Sequence, residues 1–216
     1  MRKRHVRRRS LRVGSGLAAV ALLLAAPVIV SAAEPPTVTE APDVGTMSTS
    51  AAALVREHDY VEAEFVVSGN AQSYRQRGTW GTDGVWTAAP GETAPYAIRM
   101  LVRSPADPAR FNGVVVVEWL NVSGQTEADP DFRSLHLELF RGGYAYVGVG
   151  AQRVGIYGQS GLKAQNAERY AALVHPGDSF SYDIYTQAGQ AVREPSGLAP
   201  LGRLTGQIRQ LVDRAV

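Results

Sequence analysis

Apolar and polar residues follow one another along the chain in patterns that predict an α/β fold. From Tyr60 to Val67 acids alternate with apolar residues, the period-two pattern of a half-exposed strand, and we expect an outer, antiparallel strand there. A second strand is predicted from Tyr96 to Val102. The glycine-rich stretch 74–92 between them predicts short strands joined by turns. The nearly continuous β-branched run from Gly113 to Trp119 is typical of a central strand covered on both faces.

A helical pattern separates this run from the next buried strand. Apolar residues recur at helical spacing between residues 132 and 140, and Gly142-Gly143 is expected to end the helix. Residues 144–149 then predict a second buried strand. A strand, a helix and a strand in this order predict a right-handed crossover, and hence an α/β class with a mostly parallel central sheet and antiparallel outer strands. A further helix is predicted over 178–192, and a short strand from Ile208 to Val212.

The first 33 residues have the order of a signal peptide. Seven basic residues and no acid lie within the first twelve positions, and an apolar run of 14 residues, Leu17 to Val30, follows them. This run is shorter than the about 20 residues that a membrane-spanning helix needs, so we predict cleavage after Ala32 or Ala33 and no permanent membrane anchor. We expect a secreted or periplasmic protein that engages the general secretory machinery. The pair Arg8-Arg9 leaves the twin-arginine route as the alternative.

The composition of residues 34–216 predicts a linker followed by one domain and argues against a nucleic-acid partner. Residues 34–51 are rich in Pro, Thr, Ser and Ala and predict a flexible linker, and residues 52–216 are predicted to form one domain. Beyond the leader, 15 basic residues stand against 20 acidic ones with no basic patch, so we expect no nucleic-acid partner. The chain has no cysteine, which excludes disulfides and a thiol nucleophile.

The loop after the predicted central strand is the first candidate for chemistry. In open α/β sheets, ligand-facing groups gather beyond the carboxyl ends of the strands. Backbone amides in this loop are therefore candidates to stabilise a developing oxyanion. The alternative is a turn in which Asn121 bonds its own backbone. The candidate oxyanion loop consists of Leu120, Asn121, Val122 and Ser123.

A second candidate is a dense polar stretch before the last predicted helix. Its members are His175, Asp178, Ser181 and Asp183. The alternative is that Asp178 and its neighbours start the helix. The nearest approach to a Gly-x-Ser-x-Gly elbow is Gly158 to Leu162, which lacks the final glycine and is expected to be a surface turn.

Other polar residues predict neither a metal nor a cofactor. Glu127, Asp129 and Asp131 alternate, but a calcium loop needs more ligands in a fixed order, and Asp129 is better placed as a helix cap before Pro130. His58 and His136 are expected on solvated surfaces, and the histidines lack metal-ligand spacing. The chain has no phosphate-binding glycine motif.

Three segments in a fixed order resemble a known family. These are residues 113–123, 143–155 and 175–185, and together they are similar to the bacterial, often exported alpha/beta hydrolase domain-containing proteins. The resemblance extends over about residues 55–205. It implies an α/β-hydrolase fold and a serine hydrolase that cleaves an ester-like small molecule through a Ser, acid and His triad.

The same resemblance implies that the chain is the amino-terminal part of such a hydrolase. The family's nucleophile turn follows a strand that corresponds here to Ile208–Val212, and no such turn follows in this sequence. The nucleophile, acid and catalytic histidine then have no counterparts, which implies a truncated or frame-shifted product that is inactive alone. The alternative is a noncatalytic extracytoplasmic domain that binds a small ligand or a partner in the crevice beyond Trp119 and Val149.

Overall fold

A mixed sheet of five strands forms the centre of the structure, a computed structural model that describes residues 35–193. The strand order is β1-β2-β3-β5-β4, in which only the β4/β5 pair is parallel. The strands are β1 (Thr37–Glu40), β2 (Tyr60–Gln76), β3 (Ala88–Pro105), β4 (Val115–Trp119) and β5 (Ala145–Val149). The predicted α/β class is confirmed, although antiparallel pairs outnumber the parallel pair among the described strands.

The helices lie mainly before β2 and after β4. They are α1 (Ala52–Glu57), α2 (Pro130–Gly142), α3 (Arg153–Tyr157), α4 (Leu162–Gln165) and α5 (Ser181–Arg193), with short 3-10 turns at Pro108–Arg110 and Asp178–Phe180. The predicted strand, helix and strand unit is therefore present as β4, α2 and β5. None of the helices that the structure describes is long and apolar enough to cross a membrane.

The two faces of the sheet are covered by different helices. Along β3 the side chains of Ile98, Met100 and Val102 enter the main apolar core, which also contains Ile184 and Ala188 of α5. The opposite face carries a smaller cluster. Its members include Val55 of α1, Phe132, Leu139 and Phe140 of α2, and Tyr60 and Tyr146 of the sheet. Successive β3 residues point to opposite faces, which puts Arg99 and Arg103 on the α1 and α2 side.

Arg99 and Arg103 are the centres of a buried ion-pair network on that side. The Arg99 guanidinium contacts Glu127 Oε2 at 2.7 Å and Glu64 Oε1 at 3.2 Å. Arg103 contacts Glu62 Oε2 and Asp129 Oδ2, each at 2.7 Å. The side chains of all six residues are at most 3% exposed.

Two further contacts extend the network. Arg169, in the segment after α4, pairs with Glu64. The guanidinium carbon of Arg103 lies 3.8 Å from the centre of the Phe132 ring, which adds a cation–π contact. The network therefore joins β2, β3, the loop before α2 and the segment after α4.

This network corrects the prediction for β2. The strand is antiparallel, as expected, but it is not half-exposed at Glu62 and Glu64, because both carboxylates pair with arginines. Nor is it outermost, since β1 pairs with residues 65–68. The alternating pattern was correct for a strand, and the polar side faces a buried salt-bridge layer instead of water.

Three other expectations differ from the structure. Residues 74–92 belong to one long β2–β3 hairpin with a single loop, and the glycines lie mostly in that loop. Strand β4 is the end strand of the described sheet, and Val115 to Val117 are partly exposed. The segment predicted as a linker contains β1 and the buried Ser48. The predicted signal peptide, residues 1–33, and the strand Ile208–Val212 lie outside the described residues.

Both ends of α2 are fixed by specific contacts. Asp129 occupies the cap position before Pro130, as predicted, but the orphan N–H groups of Asp131 and Phe132 donate to the carboxylate of Glu118. At the other end Gly143 has a φ of 71°. A Cβ at Gly143 would lie 2.0 Å from the carbonyl oxygen of Arg110, so only glycine fits the turn into β5.

Replacing Arg103 with methionine is expected to destabilise the protein severely. The variant R103M leaves the buried carboxylate of Glu62 without its cation and Asp129 with only the exposed Arg133, a loss of about 3–5 kcal/mol in the free energy of unfolding. Urea denaturation followed by circular dichroism measures this loss. The control R141M removes an exposed pair with Glu138 and should change stability by at most about 1 kcal/mol. Equal losses in the two variants would contradict the structural role of the network.

Candidate functional site

The candidate site lies at the carboxyl ends of the parallel strands β4 and β5. Leu120, the first residue after β4, is fully buried, and its N–H donates to Val149 O at 3.1 Å. This bond continues the parallel ladder by one residue and fixes the start of the loop. The chain then turns away from the sheet and returns at Glu127 and Asp129, which bind the arginines of β3.

The loop between these anchors is a compact turn. Asn121 and Ala128 exchange two backbone hydrogen bonds of 2.9 Å. The side-chain oxygen of Asn121 accepts from the N–H of Ser123 at 3.0 Å, which is the contact expected of the turn alternative. The N–H groups of Leu120, Asn121 and Ser123 are therefore occupied. Among the described residues, Val122 is left as the member of the candidate oxyanion loop whose N–H can meet a ligand.

An aromatic surface lies beside this loop. The indole N–H of Trp119 donates to Gln152 Oε1 at 3.0 Å, and the rings of Tyr182 and Tyr185 lie 5.6 and 5.0 Å from that of Trp119. The Tyr185 hydroxyl donates to Val117 O, whereas Tyr182 is 69% exposed. Sequence reasoning missed these two tyrosines. The available signal was their three-residue spacing at the start of the predicted last helix, which puts both on one side of it.

Glu127, near the end of the loop between β4 and α2, has a buried carboxylate. One oxygen of this carboxylate binds Arg99, and the other, Oε1, has no hydrogen-bond partner among the described residues. A Cβ at Gly150 would lie 2.1 Å from Oε1, and one at Gly155 would lie 2.6 Å from Cγ. Burial raises the pKa of Glu127 above its ordinary value, and the charge of Arg99 opposes that shift. Arg99 therefore supplies the positive charge beside the buried Glu127 carboxylate.

His175 is buried, and both of its ring nitrogens are engaged. Nδ1 accepts from the N–H of Gly177 at 3.2 Å, so the proton is on Nε2, which donates to Ala151 O at 2.9 Å. Burial lowers the pKa of His175, which keeps the ring neutral. In this arrangement neither ring nitrogen is free to accept a proton from a nucleophile.

The other members of the polar stretch contact different parts of the fold. Asp178 accepts from the N–H of Arg153 at 2.8 Å, at the start of α3. Asp183 accepts from Gln72 N at 2.8 Å, on β2. The Ser181 hydroxyl is buried and has no hydrogen-bond partner among residues 35–193. Within the described part of the chain, the Ser181 backbone N–H donates to Asp178 O, but no side-chain hydrogen bond joins His175, Asp178, Ser181 and Asp183 to one another.

The remaining sequence candidates lie on other surfaces. Ser160 lies in an exposed turn between α3 and α4, as predicted. His58 is partly buried and stacks on Phe140, with ring centres 4.5 Å apart. His136 donates from Nδ1 to Arg133 O and lines a groove of about 510 Å³ between α1 and α2. Neither histidine is fully solvated, because each packs against an aromatic residue of α2.

Stability is expected to fall at mildly acidic pH because of His175. The unfolded chain binds a proton at this residue near a pKa of about 6.5, whereas the folded protein resists protonation. The free energy of unfolding therefore decreases as pH falls below about 6.5, by at most about 1.4 kcal/mol per pH unit, until the lowered folded pKa is reached. Denaturant titrations at several pH values measure the free energy of unfolding. In H175Q this free energy should fall less steeply with decreasing pH than in the parent chain. An identical pH dependence in H175Q would contradict the prediction.

Comparison with known proteins identifies the family. Residues 31–212 match the family model described as alpha/beta hydrolase domain. No curated protein and no solved structure matches the chain. The family match extends further at both ends than the resemblance drawn from the three segments, and it confirms the expected hydrolase fold. The chain belongs to the alpha/beta hydrolase domain family.

Proposed function

We propose that this hydrolase-fold protein acts on ester-like small molecules and that the loop 120–123 binds the acyl oxygen. The observation that carries the proposal is the Val122 N–H, which stands between occupied amides at the carboxyl end of β4. A preorganised N–H at such a position stabilises negative charge on oxygen more strongly than water does.

The anchoring of the loop supports this role. Leu120 is tied to β5, and Glu127 and Asp129 are tied to the arginines of β3. A loop held at both ends changes little when a ligand arrives, so its amide dipole needs no reorganisation. The adjacent surface of Trp119 and Tyr182 offers apolar contact for the acyl or alcohol portion of an ester.

The described residues are proposed to bind such a molecule without cleaving it. His175 has both ring nitrogens engaged, and Ser181 has no base within hydrogen-bonding distance in the part of the chain that the structure describes. A nucleophile and its base act as a unit, so neither residue alone provides turnover. In this proposal the nucleophile and the base are not among residues 35–193. The stretch from His175 to Asp183 instead holds α3, β2 and the chain before α5 in place.

A noncatalytic binding protein is the second candidate. The exposed ring of Tyr182 beside Trp119 favours it, because an aromatic surface binds a small apolar ligand without any charge development. The two candidates differ in which group carries affinity. An oxyanion-binding site depends on the Val122 N–H, and an apolar site depends on the two rings.

The test is the binding of a short-chain alkyl phosphonate, a stable anion with the shape of the tetrahedral intermediate. Replacing Val122 with proline removes the N–H, and the control V122A keeps it. We expect V122A to bind like the parent chain and V122P to bind about tenfold or more weakly, since one hydrogen bond to a charged group contributes about 1.5–3 kcal/mol. Isothermal titration calorimetry measures the dissociation constant of each variant.

Each other outcome of this test has a defined meaning. Equal affinities in V122P and V122A would overturn the oxyanion role. If affinity were instead lost in Y182A, the noncatalytic candidate would replace it. Turnover of a chromogenic ester that disappears in S181A would overturn the proposal that these residues bind without cleaving.

We also propose that the protein is exported by the general secretory route. The support is the basic start of the chain, the apolar run to Val30 and the small residues that follow it. The variant with both Arg8 and Arg9 changed to lysine should be exported and cleaved like the parent chain, because the general route reads charge and not the arginine pair. Mass spectrometry of the exported protein locates the cleavage site. Retention of this variant in the cytoplasm would favour the twin-arginine route.

A further inference from the structure

The far end of the β2–β3 hairpin extends away from the buried part of the molecule. The hairpin ladder continues to the pair Gln76 and Ala88, and every residue from 74 to 88 is exposed. We call residues 77–87 the hairpin tip. Two of the three tryptophans of the chain, Trp80 and Trp86, lie in this tip, 40% and 57% exposed, and Val85 beside them is 78% exposed. Large apolar side chains that cluster in an exposed loop are typical of an interaction surface.

The two indole rings form a stacked pair whose polar groups are already satisfied. The ring centres are 5.3 Å apart and the planes differ by 15°. The indole N–H of Trp80 donates to Thr87 O at 2.8 Å, and that of Trp86 donates to Gly81 O at 2.9 Å. Because both donors are bonded within the tip, the rings can leave water without leaving an unpaired N–H. The bonds also hold the rings in one arrangement before any partner is present.

Between residues 74 and 91 the hairpin carries two arginines and one acid. Arg75 lies in β2, and Arg77 directly follows the strand and continues its pairing through a bond from its N–H to Thr87 O, so the two positions share one face of the hairpin. The one acid between residues 74 and 91 is Asp83, whose carboxylate accepts from the N–H of Val85 within the turn. An apolar tip with arginines behind it matches the profile of an anionic lipid surface, where apolar groups enter and cations stay among the headgroups.

From these features we propose that the hairpin tip is a docking element for the surface of an anionic lipid bilayer. Trp80, Val85 and Trp86 enter the boundary between headgroups and acyl chains, and Arg75 and Arg77 bind lipid phosphates. Tryptophan favours this boundary because its ring is both large and amphipathic. This surface goes beyond the proposed function of the loop 120–123 and does not depend on it.

Two features favour a bilayer over a carbohydrate. Sugar rings stack on a flat aromatic face and need polar hydrogen-bonding groups beside it, but both indole N–H groups of the tip are used internally. Val85 is the most exposed apolar side chain of the tip, and an aliphatic group at that position adds affinity for acyl chains.

The test is binding to vesicles of phosphatidylcholine, with and without phosphatidylglycerol. Residues 34–216 are used to remove the effect of the basic leader, with the full chain measured alongside. The variant V85D introduces a charge at the apolar point of the tip. Its matched control is L137D, at a side chain of α2 that is 64% exposed. We expect V85D to reduce the partition coefficient about tenfold or more and L137D to leave it unchanged.

Two more measurements separate the two parts of the surface. The variant R75Q/R77Q should lower binding to anionic vesicles about tenfold and leave binding to neutral vesicles unchanged. In a W119F background, brominated lipids should quench the fluorescence of Trp80 and Trp86. Circular dichroism establishes that each variant is folded.

The proposal is overturned by any of three results. The first is equal vesicle binding by V85D and L137D. The second is a concentration-dependent dimer that V85D abolishes while vesicles do not bind, which would assign the tip to a second copy of this chain. The third is quenching of the tip tryptophans by soluble oligosaccharides without vesicle binding.

Discussion

The buried arginine network of β3 determines how the rest of this structure is arranged. Four carboxylates surround Arg99 and Arg103, and two of them belong to the loop that joins β4 to α2. Charges removed from water are stable only when each has a partner at close range. The positions of Glu127 and Asp129 are thereby tied to the sheet, and with them the return of the loop and the start of α2. An apolar layer of equal volume would tolerate sliding of the loop, whereas directional ion pairs do not.

This constraint holds the loop of the candidate site at both ends and leaves the N–H of Val122 without a partner among the described residues. The loop is bonded to Val149 at its start and to the arginines at its end, and the cross-bonds of Asn121 close it in between. The N–H of Val122 is thus held by contacts that lie outside the site itself. Contacts of this kind fix the backbone of the loop when the protein folds, before any ligand is present. The Glu127 carboxylate is closely packed, because a side chain at Gly150 or Gly155 would collide with it. One of its oxygens has no hydrogen-bond partner among the described residues.

The sequence predicts which segments form helices and strands better than it predicts what their side chains contact. Periodicity located β2, β4, α2, β5 and α5, because each spacing reflects which side chains turn inward. Periodicity does not distinguish an acid in water from an acid paired with an arginine, so Glu62 and Glu64 were expected to be exposed. Their partners lie 41 and 35 residues away, and only the folded sheet brings them opposite. The spacing of Arg99 and Arg103, four residues apart in a strand, was the one local sign that both share a face.

The candidate site shows a related limit of sequence reasoning. His175, Asp178, Ser181 and Asp183 lie within nine positions, and such crowding suggests shared chemistry. However, the 3-10 turn and the first turn of α5 direct successive side chains around the helix axis, so the two acids reach α3 and β2. His175 lies before both turns, and its ring reaches Ala151. Residues that are close in sequence therefore make three separate contacts with different parts of the fold. The opposite holds for Trp119 and Tyr182, which are 63 residues apart and meet because α5 packs beside β4. Groups that act together at a site are more often brought together by the sheet than supplied by one segment, and at the carboxyl end of β4 the sheet and α5 bring Trp119 and Tyr182 together.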